Sequence, residues 1–415
     1  MDLKQATSKR REKLMKHLKP GTLALIFSGV APFRSADAQY KFHVNRNFYY
    51  LTGIDRSNFV LMLFKSRKGE TRELLFLEDI NPDMEKWTGY RMKPETAKEV
   101  SGIQATAFVS TMKNMVGRMF SNHEVESLAL DLERYSWEFA GYEAHRFLEE
   151  IQPKIPHMPL YNLSTYFAKR RMVKDEVEIS ELRKAIEVTE MGLNRVMDAL
   201  QPEKMEYQIQ AAFESTLMDQ GTQPAFPTIA VGGANAVVLH YEENDQMLED
   251  GDLMLLDLGA EWGKYSADIS RTYPVNGSFT ARQRQVYEAV LETLKKVTEA
   301  VRPGVSLLEL NDLAKGILGK HLKAWGLIEQ DDEIGKYYYH GIGHHLGMDT
   351  HDLSLHGEAL KPGMVVTVEP GLYIKEEGIG IRIEDDVLVT ETGSENLSAS
   401  IIREADEIEA YMKRA

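Results

Sequence analysis

The residues best placed to do chemistry are acids on short apolar runs. Asp257 closes Leu253-Met254-Leu255-Leu256, and Asp268 lies in the alternating run Tyr265-Ser266-Ala267-Asp268-Ile269. If these runs are strands folded about a turn at Trp262-Gly263, Glu261 faces Lys264 and Asp257 lands directly opposite Asp268. Cross-strand partners have Cβ atoms about 5 Å apart, and like charges placed there destabilise a sheet. The construction repeats downstream. Residues 364–368 read as a strand running into Glu369-Pro370-Gly371, while Ile379, Ile381 and Ile383 alternate with Gly380, Arg382 and Glu384. A turn centred on Glu376-Glu377 then sets Glu369 against Glu384. Four carboxylates gathered in a dry site need compensating charge, which two divalent cations would supply. The competing reading is that Arg382 and Lys264 neutralise the acids in ordinary ion pairs, or that the acids are simply exposed. Two independent hairpins setting acid against acid favour the cations.

Histidines sharpen the same reading. Five of the twelve fall within residues 340–356, as His340, His344, His345, His351 and His356. Neutral imidazole is both a metal ligand and a proton carrier near neutral pH. His340 and His344 have helical spacing, but Gly341, Gly343 and Gly347 argue for a loop or irregular strand. His345 and His356 are the expected bystanders, and His240, in Val238-Leu239-His240-Tyr241, is a further candidate. The chain has no cysteine, so thiolate zinc sites, disulfides and Cys nucleophiles are excluded. Walker-type phosphate loops, dinucleotide fingerprints, H-E-x-x-H and G-x-S-x-G are all missing.

These side chains need elements to position them. A long amphipathic helix begins near Asp175, with Ile179, Leu182, Ile186, Leu193, Val196 and Leu200 at helical spacing and Pro202 ending it. A second helix stops at Gly221. About a hundred residues later the pattern echoes: residues 282–301 end at Arg302-Pro303, and another helix stops at Gly326. Each helix pair is followed by a His-bearing segment and then by strands with carboxylates, as two related halves of one domain would be. Upstream, Pro153, Pro156 and Pro159 mark a loop near a domain boundary. Before it, strands expected at 23–27, 48–51, 59–64, 74–77 and 128–132 alternate with helices expected at 112–120 and 137–151, an α/β pattern.

Bulk properties agree. At 415 residues the chain exceeds one ordinary core, and 43% hydrophobic with 27% charged residues is a globular composition. A net charge of -15 argues against a nucleic-acid partner. No apolar stretch reaches a membrane span. Residues 23–27 could be misread as a signal peptide, but Asp2, Glu12 and the shortness of the run favour a first strand. A cytoplasmic protein is expected.

The order Asp257, Asp268, His344, Glu369, Glu384 resembles the five-ligand set of the pita-bread metallopeptidases, which include methionine aminopeptidase, Xaa-Pro aminopeptidase and Xaa-Pro dipeptidase (prolidase). The matching stretches are Asp257-Leu258-Gly259-Ala260, Ala267-Asp268-Ile269-Ser270-Arg271-Thr272, residues 340–352, Thr367-Val368-Glu369-Pro370-Gly371 and Ile381-Arg382-Ile383-Glu384-Asp385. They cover 175–411 densely. The first 170 residues resemble the family's N-terminal domain more loosely, through Arg46-Asn47-Phe48-Tyr49-Tyr50-Leu51-Thr52-Gly53. The resemblance implies a creatinase-like α/β domain at 1–170. It implies an α+β pita-bread catalytic domain at 171–415 with an internal pseudo-twofold repeat. The extra domain argues against methionine aminopeptidase. The segments around His240, 340–352 and 369–373 look most like Xaa-Pro aminopeptidase, with prolidase sharing almost all of these residues. A non-catalytic peptide-binding scaffold on the same fold is the remaining rival, disfavoured because no ligand is missing.

By this resemblance, Asp268 and Glu384 bridge two metals, Asp257 completes one coordination sphere, and His344 and Glu369 complete the other. So oxygen-rich a set suits manganese, with cobalt or zinc able to substitute. A hydroxide bridging the metals would attack the bond before proline, Glu369 would shuttle the proton, and His351 and His240 would hold the substrate carbonyl. His340, Tyr373 and Arg382 would line the proline-side pocket, or Arg382 would simply orient Glu384, with which it shares a strand face. The implied substrates are peptides with proline second. The implied assembly is a homo-oligomer, dimer or tetramer, with Trp87 a candidate for subunit contact.

Overall fold

The computed structural model describes residues 1–134, 136–139 and 141–414. It divides into two compact units, Met1–Phe167 and Ala168–Ala415.

In the first unit a six-stranded sheet runs in the order Thr106–Phe108, Thr71–Leu77, Val60–Lys65, Thr22–Phe27, Ser127–Leu130, Leu160–Asn162. Thr22–Phe27 pairs antiparallel with Val60–Lys65 and parallel with Ser127–Leu130. Leu23, Leu25, Met62, Phe64, Phe76, Leu128 and Leu130 pack with Met112 and Val116 of the Val109–Ser121 helix. The run at 23–27 is therefore the first strand in the chain, as expected, and it lies inside the sheet. The run at 48–51 is not a strand. It lies in the helix Arg46–Thr52, where Asn45 accepts the Phe48 N–H and Gly53, at φ 68°, closes the C-terminus. A helix at Leu3–His17 was also not anticipated, although Asp2 and Gln5 form a capping box at its start. The helix expected from 137 begins at Glu143, and Trp137 is 93% exposed.

The second unit repeats one element order. Helices Glu176–Ala199 and Glu206–Asp219 precede the antiparallel strands Ile229–Gly232, Leu253–Leu258 and Ile269–Pro274. Helices Ala281–Ala300 and Leu307–Ala324 precede the antiparallel strands Val365–Val368, Asp385–Val389 and Ser394–Asn396. Capping boxes start three of the four helices in the manner their sequences suggest: Asp175 with Glu178, Thr280 with Gln283, Ser306 with Glu309. A two-stranded ribbon, Gly371–Ile374 with Ile379–Arg382, joins the last sheet's strands. Among the described residues no helix is long and apolar enough to cross a membrane.

Candidate metal centre

Each candidate side chain is held by a specific departure from regular pairing. Asp257 on Leu253–Leu258 faces Ser270, not Asp268, and in the small separate sheet that pairs Ala260–Trp262 with Tyr265–Ser266, Glu261 faces Ser266, not Lys264. The turn is Gly263-Lys264, with φ of 55° and 70°, the left-handed pair that two-residue hairpins prefer. That choice moves the register away from the one expected for a turn at Trp262-Gly263. Asp268 is nevertheless two residues from Ser270 and so shares its face, diagonal to Asp257, within reach across a sheet. The two carboxyls interact.

The second hairpin has the expected register. Gly371 faces Arg382 and Val368 faces Asp385, which sets Glu369 against Glu384. At that point the ladder opens: the Glu369 N–H donates to the Ile342 carbonyl at 2.9 Å, and the Glu384 N–H to the Ser270 carbonyl at 3.0 Å. Glu384 is thereby tied to the sheet carrying Asp257 and Asp268, and Glu369 to the histidine segment.

That segment is irregular, as its glycines implied, and is stitched to the Val365–Val368 strand. Thr367 donates its N–H to the His344 carbonyl at 2.9 Å, and its hydroxyl accepts the His344 N–H at 3.0 Å. A Cβ on Gly343 would lie 2.0 Å from the Thr367 carbonyl oxygen, so only glycine permits this approach. His344 Nδ1 lies 3.1 Å from the His345 carbonyl. A carbonyl only accepts, so Nδ1 carries a proton and Nε2 is the ring nitrogen turned toward the acids, the arrangement that orients metal-binding imidazoles. Nε2 is 3.3 Å from Asp268 and 3.8 Å from Glu369.

Asp268, His344 and Glu384 offer ligand atoms all within 4.8 Å of one another. They line a cavity of about 650 Å³ together with Asp257, Glu369, His240, His340, His351 and Arg382. Tyr373 is not on the cavity wall; it is buried behind, bonded to His340 and Arg382. His345 is buried and His356 exposed, both outside the lining. The N-terminal unit has a cavity of about 740 Å³ walled by methionines, Arg72, Arg118, Glu73 and Glu124. Among the described residues it brings no comparable ligand group together.

Burial drives the electrostatics. It pushes Asp268 and Glu384 well above the usual carboxylate range, and repulsion from Asp257 on Asp268, and from Asp268 and Glu369 on Glu384, adds to it. Glu369 is pushed up to about 7, chiefly by burial, with His344 and Arg382 opposing. The sequence places two positive side chains, Lys264 and Arg382, near the acids. Lys264 pairs with Glu261 at 3.2 Å. Arg382 gives Nη2 to Asp257 at 2.7 Å, Nε to Ser270 Oγ at 2.9 Å and Nη1 to the Tyr373 hydroxyl at 3.0 Å. It therefore does not bond Glu384 directly; Ser270 stands between, donating to Glu384 at 2.7 Å. One guanidinium against four acids leaves a large negative excess, and Asp257 Oδ1 is buried with no hydrogen-bond partner. Hard divalent cations fit this donor set.

The remaining histidines fall into two kinds. His340 gives Nδ1–H to the Gly341 carbonyl at 2.7 Å, so its Nε2 accepts the Tyr373 hydroxyl at 2.8 Å. Burial and the neighbouring Arg382 depress its pKa to about 4, which keeps it neutral. His351 and His240 are exposed on the cavity rim, with the His351 ring centroid 4.2 Å from that of His344. Sequence reasoning missed the supports. Glu206, buried, takes the N–H groups of Gly232 and Gln246 at 2.7 and 3.0 Å and thereby pins both ends of the segment carrying His240. Ser270 bridges Arg382 to Glu384, and Asp386 accepts the Asp268 N–H at 3.2 Å. The run Glu384-Asp385-Asp386, three acids inside an apolar stretch, was the available signal for the last.

Comparison with known proteins adds an independent line. Residues 180–391 match the model of metallopeptidase family M24, and residues 7–128 that of the aminopeptidase P N-terminal domain. The Xaa-Pro aminopeptidase of Escherichia coli is 35% identical over 437 residues, spanning 99% of this chain and 98% of its own. Human Xaa-Pro aminopeptidase 3 is 31% identical, across 98% of this chain and 85% of its own. Among solved structures, Escherichia coli aminopeptidase P with the inhibitor Pro-Leu superposes with a TM-score of 0.91 at 34% identity, covering 100% of this chain and 99% of the other.

Proposed function

The chain belongs to metallopeptidase family M24, and on that premise we propose that it is an Xaa-Pro aminopeptidase, releasing the first residue of peptides with proline second. The observation that carries the reading is the gathering of Asp257, Asp268, His344, Glu369 and Glu384 on one cavity, in a chain similar over its whole length to Xaa-Pro aminopeptidases rather than over its catalytic unit alone.

Asp257, Asp268, His344, Glu369 and Glu384 would hold two divalent ions, manganese by preference for a hard oxygen-rich set. Such ions, when bound, acidify water into the neutral range and offer positive charge to a polarised carbonyl. The protein's own groups do the rest. Glu369, whose carboxyl exchanges its proton near neutrality in the metal-free site, accepts a proton from the attacking water and delivers it to the leaving proline nitrogen. His351 and His240, on the rim, hold the substrate carbonyl. Tyr373 and Arg382 fix His340 as an uncharged wall on the proline side. Arg382 also keeps Asp257 oriented. The reading extends to a homo-oligomer, dimer or tetramer, for light scattering to test, and to a cytoplasmic location, for cell fractionation to test.

Loaded with manganese, the protein is expected to cleave an Xaa-Pro-Yaa tripeptide at least as well as the matching Xaa-Pro dipeptide, measured by kcat/KM. A strong preference for the dipeptide would replace the name with prolidase and leave the site chemistry intact. Absence of turnover on both, with no bound metal, would favour a scaffold.

A further inference from the structure

The chain between the two neighbouring histidines His344 and His351 has no regular structure, yet the two rings sit in edge contact. His344 takes its position from Thr367 of the Val365–Val368 strand. His351 has no such direct tie; its position is set by the residues either side of it. Asp352 closes the loop by donating its N–H to the His345 carbonyl at 2.8 Å. Its carboxylate is fully buried, with Arg171 Nη2 on one oxygen and Lys174 Nζ at 3.1 Å on the other. The same Arg171 nitrogen lies 2.6 Å from Asp349. One guanidinium thus spans the two acids that bracket Thr350-His351. A Cβ on Gly347 would lie 2.1 Å from the Asp352 carboxylate, so the loop is folded tightly over this cluster.

The cations have an anchor of their own. Lys174 donates its N–H to the Gly363 carbonyl at 2.8 Å, and Val173 bridges Met364. Both histidines are therefore referenced to one stretch of chain: His344 through Thr367, His351 through Asp349, Asp352, Arg171 and Lys174 to Gly363-Met364. None of Arg171, Lys174, Asp349 or Asp352 lines the cavity.

We propose that Arg171, assisted by Lys174, is a positioning residue for His351, acting through Asp349 and Asp352. Two buried cations face the two acids. Its arginine is specific because the long side chain with its rigid planar head holds one terminal nitrogen, Nη2, between both carboxylates, and a shorter, freely rotating lysine does not hold a nitrogen there. The inference rests on the peptidase reading for its kinetic test, and it has a second test that does not.

The variant Arg171→Lys keeps the charge balance and loses the span. It is expected to lower kcat on an Xaa-Pro-Yaa peptide about tenfold, with bound manganese and the thermal midpoint unchanged. In a His351→Ala background the same substitution should change kcat less than about twofold, since the group it positions is gone. Asp349→Asn, at the more exposed arm, should reproduce the effect in milder form. Amide hydrogen exchange in the metal-free protein should quicken across 347–352 and nowhere in Glu176–Ala199. A wild-type kcat for Arg171→Lys, a full further loss in the His351→Ala background, or unaltered exchange across 347–352 would each overturn the proposal. If wild-type protein cleaves no such peptide, the peptidase reading fails by itself, and the exchange experiment still decides whether the cluster holds the loop.

Discussion

Glu369 and Asp268 show how residue types become roles through surroundings. Glu369 sits opposite Glu384 where the ladder opens, lines the cavity while largely buried, and is raised to about 7. Asp268 is buried, with its N–H held by Asp386. Glu369→Gln keeps the shape but cannot carry the proton, so turnover should fall at least about 100-fold while one or more ions stay bound. Near-normal turnover would remove the shuttle role. Asp268→Ala should lose both metal and turnover with an unchanged circular dichroism spectrum. At this scale the sequence was readable wherever chemistry depends on side-chain type: acids and histidines stand out against apolar runs. Ser270 and Thr367 were not readable, because a hydroxyl in a strand looks the same whether it faces water or bridges Arg382 to Glu384.

Elements carry the errors and their causes. The turn Gly263-Lys264 shows why the first register was misjudged: glycine can stand at either central position, and the choice moves every pair. The downstream hairpin was readable because Ile379, Ile381 and Ile383 alternate with Gly380, Arg382 and Glu384, giving one apolar and one polar face, both buried. The helix Arg46–Thr52 was mistaken for a strand since four successive apolar residues carry no period; the caps at Asn45 and Gly53 were the deciding signals. The close passage of Gly343 under Thr367 leads to a prediction about elements. Gly343→Ala would force the histidine segment off its strand, costing about 3 kcal/mol as overpacking against backbone. It should lower the thermal midpoint and weaken manganese binding together. An unchanged midpoint would mean the segment yields freely.

For the whole molecule, the metal site couples stability to pH. In metal-free protein the raised acids hold protons that the unfolded chain would release. The stability contributed by Glu369 is fully present below its ordinary pKa of 4.5 and lost as pH rises through about 7. Asp352 has the opposite sign. Burial opposes its charge, but Arg171 and Lys174 prevail and hold its pKa below 3.8, so its contribution is present above that value and lost in acid. The thermal midpoint of chelated protein should therefore fall from about pH 5 to about pH 8, and added manganese should flatten or reverse the trend by replacing protons. A midpoint that climbs over that range without metal would contradict the buried-acid account. The division into two units was foreshadowed by the proline cluster and the length, and the repeated helix-helix-strand order by the spacing of Pro202 and Pro303.

The opened ladder at Glu369 and Glu384 also bears on how the protein is made. The Glu369 amide reaches Ile342 and the Glu384 amide reaches Ser270, far back along the chain, so the acid cluster is closed by its last-synthesised wall. A nascent chain on the ribosome carries Asp257 and Asp268 for more than a hundred codons before Glu384 emerges. During that interval the early acids lack the carboxylates that face them in the folded chain, so the proposed ion site is incomplete until the last of the four acids is in place.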